Sequence, residues 1–147
     1  MAPRFAVAWL FAAGAMLCAG GVATIVIGTY FTAWIYSLLP PLVIDAAAVG
    51  GAATASGIAL LALGVLHLTA GVLVGRGTGA VLTPAVVLAA TMVLLCIGWG
   101  AAALTSAASG GGPPALLLPA GIGLGAVAVG YGLAARGLIG LRKPPGP

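Results

Sequence analysis

Four stretches of this chain, residues 5–30, 46–75, 80–104 and 115–141, contain between them one charged side chain, Arg136, and one histidine, His67. Each is longer than the ~20 mostly apolar residues that a helix needs to cross a hydrocarbon layer ~30 Å thick. No water in such a layer satisfies the backbone, so a spanning segment must bond to itself, as a helix does. The four stretches take up nearly all of the 147 residues and leave no room among them for a separate soluble catalytic domain. At 63% hydrophobic and 4% charged, the chain has too few polar side chains to coat a water-soluble core. The expectation is one all-α integral membrane domain over residues 1–147, with outer links at 31–45 and 105–114 and an inner link at 76–79.

The first stretch opens like a secretory leader, with Arg4 ahead of apolar residues. It continues past Gly21 through Ile27 to Tyr36, beyond the ~7–15 residues of a cleavable core. Ala15-Met16-Leu17 before Cys18 also fits a lipoprotein cleavage box poorly. We read an uncleaved first span.

Charge sets the orientation. Arg4 precedes the first stretch, Arg76 lies in the GRGTG link, and Arg136, Arg142 and Lys143 fall at the end of the fourth. Cationic flanks stay on the cytoplasmic side, which predicts an antiparallel up-down-up-down four-helix transmembrane bundle in the cell membrane, both termini cytoplasmic. The stem of Arg136 is expected to run along its helix and place the guanidinium at the headgroups. On the outer side Tyr30, Phe31, Trp34 and Tyr36 cluster where the first span should leave the membrane, the depth that amphipathic rings prefer. Tyr30, Trp34 and Tyr36 are the expected interface anchors, and Pro40 and Pro41 should stop the helix. Asp45, the only acid, directly precedes the second stretch. It is read as a helix cap at the positive end of the dipole, with an outer cation or proton site as the sharper alternative.

Glycine recurs every seven residues: Gly14, Gly21 and Gly28 in the first span; Gly50, Gly57, Gly64 and Gly71 in the second; Gly123, Gly130 and Gly137 in the fourth, widened by Gly121 and Gly125. The third span is less regular, with Thr91, Gly98 and Thr105 in the equivalent series. In water a helical glycine costs ~1 kcal/mol against alanine. In lipid, helices gain nothing by hiding apolar side chains from an equally apolar solvent, so they associate by close backbone approach, which small residues permit. A seven-residue series stays on one side of a helix that joins a left-handed supercoil. Glycine-rich packing seams are therefore expected, with Gly64 in the closest contact of the second helix. A weak duplication of the two hairpins is conceivable from MLCAGG against LLCIGWG, with chance similarity an equal alternative.

Polar chemistry is sparse. His67 lies between Gly64 and Gly71 on the seam face and is expected to point into protein, its imidazole bonded to a backbone carbonyl or a neighbouring threonine. Ionisable groups at this depth are functional candidates, and His67 and Asp45 are the two named here. A haem would need a second axial ligand, for which Met16 and Met92 are only nominal substitutes. Asp45 and His67 are separated by ~33 Å of helix and cannot act together within one protomer. Cys18 and Cys96 form no CxxC and no Cys/His cluster. No catalytic, cofactor-binding or metal site is expected, and the net charge of +4 reflects topology, with no patch suited to nucleic acid.

The fourth stretch, GIGLGAVAVGYGLAARG, is similar in composition to the glycine-rich helices of rotor-ring proteolipids, but those need a mid-membrane carboxylate that is absent here. Small multidrug exporters likewise need a membrane glutamate, and membrane glutathione-dependent enzymes need clustered cytoplasmic arginines and polar residues. The leading expectation is a non-catalytic scaffold or accessory subunit whose partners are the lipid bilayer and a membrane protein or further copies of itself. One alternative is a transport or channel component using His67, Thr24, Thr54, Thr91 and Thr105. The other is a His67-dependent enzyme or cytochrome.

Overall fold

The computed structural model describes residues 3–38 and 46–141. Pro40, Pro41, Asp45, Arg142 and Lys143 lie outside them, as do the side chains of Phe31 and Tyr36. Helix α1 is Pro3–Leu38, α2 Ala46–Gly75, α3 Leu82–Ala108 and α4 Pro114–Gly140, with a single 3₁₀ turn, Gly79–Val81, leading into α3. All four helices are long and apolar enough to cross a membrane.

Two boundaries differ from the sequence expectation. Helix α1 does not stop near residue 30 but continues through the aromatic segment to Leu38. Nothing in TYFTAWIYS breaks a helix, and Thr29 and Thr32 bond their hydroxyls back to the carbonyls of Ile25 and Gly28. Helix α3 runs beyond residue 104 to Ala108. Thr105 is held inside it by hydroxyl bonds to Ala101 and Ala102, so the helix ends only where a glycine reverses the backbone.

That reversal takes the same form at two ends. After α2, Gly77 has φ of +75°; its N–H donates to Val74 and that of Thr78 to Leu73. After α3, Gly110 has φ of +72°, and the N–H of Gly111 donates to Ser106. These are Schellman closures, in which a left-handed residue lets the chain cap its own last carbonyls; a Cβ at either glycine would be strained. Helix α4 starts on Pro114, where a missing N–H costs nothing. Pro119, inside α4, removes one helical bond.

The chain divides into two compact units, one of Leu10–Thr69 and the other of Met1–Trp9 with Ala70–Pro147. The first holds most of α1 and α2. In the second, α3 buries Ala85, Ala89, Cys96 and Gly100, a face repeating every three to four residues. Helix α4 buries Gly121, Ala128, Gly130, Tyr131, Ala134 and Leu138.

Candidate functional site

Within Leu10–Thr69 the glycines of α1 and α2 meet one another. A Cβ built on Gly14 would lie 3.0 Å from the carbonyl oxygen of Gly64, one on Gly21 2.7 Å from that of Gly57, and one on Gly64 2.9 Å from that of Gly14. Numbers rise along α1 as they fall along α2. Farther along, Gly28 comes against Ala53, and Gly50 against the side chain of Thr32. Gly28 and Gly50 thus do not face each other, because a 3.6-residue turn drifts by ~20° in every seven. Gly71 is buried and belongs to the other unit.

His67 lies one helical turn beyond Gly64 and is fully buried. Its Nδ1 is 2.7 Å from the carbonyl oxygen of Leu63 on the preceding turn. A carbonyl only accepts, so Nδ1 carries a hydrogen and donates it to that oxygen. Among the described residues no three His, Cys, Asp or Glu side chains gather to hold a metal ion.

The threonines expected to line a path are largely committed to their own helices. Thr24 bonds to Gly20, Thr54 to Gly50 and Thr105 to Ala101 and Ala102. A hydroxyl bonded back to its own helix satisfies itself without an outside partner. Tyr30 and Trp34 are exposed on α1, with Val26 and Ile27 forming a shallow apolar groove beside them. Arg4, Arg76 and Arg136 are exposed.

The second unit is closed differently. Gly100 and Gly121 bring α3 and α4 together, a Cβ on Gly121 falling 3.1 Å from the Gly100 carbonyl oxygen. Gly98 and Gly123, members of the seven-residue series, have nothing within 4 Å of where a Cβ would stand. The close positions are therefore Gly100 and Gly121, each two residues away from the series. Gly137 stands 3.4 Å, as a built Cβ, from the Cβ of Ala6.

Gly130 is covered by the indole of Trp9. The Trp9 ring meets Tyr131 edge to face at 5.8 Å and stacks on Phe5 at 6.0 Å. Such pairs contribute ~0.5–1.5 kcal/mol beyond area burial. The indole Nε1 is buried with no hydrogen-bond partner in this arrangement. Sequence reasoning missed Trp9 altogether. The available signal was Gly130 itself: a glycine beside a tyrosine leaves room, and that room holds a ring instead of a backbone.

Comparison with protein-family models, with curated proteins and with solved structures finds no match.

Proposed function

We propose that this chain is a small multi-pass protein of the cell membrane, an antiparallel up-down-up-down bundle with both termini cytoplasmic, that serves as a non-catalytic accessory subunit docking a membrane partner. The orientation rests on cation placement and on one geometric fact. Arg4 of α1, the turn after α2 and Leu141 after α4 all line one cavity, which puts the start of α1 and the end of α4 at the same end of their unit.

The observation that carries the docking role is the outward face of α4. Gly123, Gly125 and Gly132 are exposed, with nothing within 4 Å of a built Cβ, and Ile122 and Val129 stand exposed beside them. Glycines facing lipid forgo side-chain packing and gain nothing unless another backbone approaches. Gly125 and Gly132 repeat the seven-residue spacing that brings α1 and α2 together, so a partner helix is the natural occupant.

The tagged chain, purified in mild detergent, should bring down one stoichiometric membrane partner or a defined number of its own copies. Gly125→Leu with Gly132→Leu should abolish this while leaving the thermal transition unchanged. Recovery of a monomer with no partner, under conditions that keep the chain folded, overturns the docking role. Orientation is read separately by single cysteines at Thr78 and Ser109 in a chain lacking Cys18 and Cys96. Labelling of position 78 from outside overturns it.

A further inference from the structure

The cavity of about 610 Å³ at the end of the second unit falls within the ~300–1,000 Å³ range of small-molecule sites. Its lining is of two kinds. Val7, Ala8, Val74 and Leu82 are apolar. Arg4 and Thr78 supply polar side chains, and the Thr78 hydroxyl makes no capping bond. The amides of Gly77 and Thr78 are already taken by Val74 and Leu73, so Arg4 is the charged group that the cavity offers an anion.

The charges at or next to its lining residues in sequence are all positive. Arg4 lines the cavity, and Arg76 sits in the turn between two lining residues, Gly75 and Gly77. Arg142 and Lys143 follow the lining residue Leu141 in sequence. Asp45 is the only acid in the chain and precedes the opposite end of α2. A free phosphate would gain Arg4 but would lose hydration against valine and leucine without using them. A phosphate carried on acyl chains would use both kinds of lining.

From this charge and wall chemistry we infer that the cavity is a binding site for the headgroup of an anionic phospholipid of the inner leaflet, its phosphate at Arg4 and its glycerol and upper acyl chains against Val7, Val74 and Leu82. Basic pockets between membrane helices on the cytoplasmic side hold lipid headgroups in this way. The inference rests on the membrane reading above.

That reading is checked first and separately: alkaline carbonate should leave the full chain in the membrane pellet, and its release would overturn the membrane reading itself. The full chain, purified in mild detergent, is then given dioleoyl phosphatidylglycerol or dioleoyl phosphatidylcholine and bound lipid is counted by native mass spectrometry. Phosphatidylglycerol should be retained in preference. Arg4→Gln should weaken its retention about fivefold, the worth of one interfacial cation. Leu82→Trp should weaken it by filling the cavity at unchanged charge, whereas Arg136→Gln, which alters a cation outside the cavity, should not. Millimolar inorganic phosphate should fail to displace the lipid. Equal retention of the two lipids overturns the inference, as does equal loss in Arg4→Gln and Arg136→Gln, which would signify diffuse surface charge. Full displacement by inorganic phosphate overturns it in favour of a free-anion site.

Discussion

The hairpin of α1 and α2 and the pairing of α3 with α4 solve the same problem with different residues. In the first, successive glycines on two helices face each other's carbonyl oxygens, as Gly14 faces Gly64 and Gly21 faces Gly57. In the second, one such crossing, Gly100 on Gly121, is supplemented by a Trp9 ring seated on Gly130 and set against Tyr131. Backbone against backbone leaves nothing that can yield to an added side chain. A ring over a glycine can tilt or change rotamer. The two regions should therefore differ in their tolerance of the same kind of substitution, and in membrane helices that tolerance is the direct readout of what holds them together.

The sharpest break in that comparison is Gly64→Leu. A Cβ there lies 2.8 Å from the Cys18 backbone nitrogen and 2.9 Å from the Gly14 carbonyl oxygen, so both helices must move. Overpacking of this kind costs ~1–3 kcal/mol, and the upper half of that range is expected, read as a lower thermal midpoint in detergent. Leu66, exposed on the same helix, is the control: Leu66→Ala should leave the midpoint nearly unchanged. Equal tolerance of both would mean that the glycine series reflects composition only.

A double-mutant cycle probes the other region. Gly130→Ala alone should destabilise by pressing on the Trp9 ring, and the same change in a Trp9→Leu background should cost about 1 kcal/mol less, within the range of coupled neighbours. Additive effects would mean that the ring does not rest on Gly130.

Replacing His67 by Leu should cost a similar or smaller amount, about 0.5–1.5 kcal/mol for loss of the bond to Leu63. The carbonyl of Leu63 keeps its helical bond when the imidazole is lost. Membrane insertion should be unaffected in fractionation. A loss as large as that from Gly64→Leu would mean that the ring is a keystone of packing. The smallest effect is expected at an open glycine. Gly132→Ala meets nothing within 4 Å and should change the stability by less than about 1 kcal/mol, with any change in the stabilising direction. Marked destabilisation would place a backbone contact where the fold has none.

The existence of four long apolar helices was legible before any coordinates, because segment length against bilayer thickness and the scarcity of charge leave few other options. The glycine series of α1 and α2 was legible for the same reason that it packs: at seven-residue spacing, small residues keep returning to one side of a helix. The lengths of α1 and α3 were not. Polarity and aromatic content mark where a membrane surface should fall, whereas a helix ends where the backbone is forced to turn, at Gly110 in the case of α3.

Composition and segment length alone thus determined that the chain forms four long apolar helices. Tertiary structure decided which glycines are close. Gly98 and Gly123 match the series, yet Gly100 and Gly121 make the contact, since the angle and register at which two helices cross depend on every side chain between them. It also decided what fills the space over Gly130. A glycine specifies only a vacancy, and whether a carbonyl, an indole or a partner helix enters it depends on which elements the rest of the chain brings alongside.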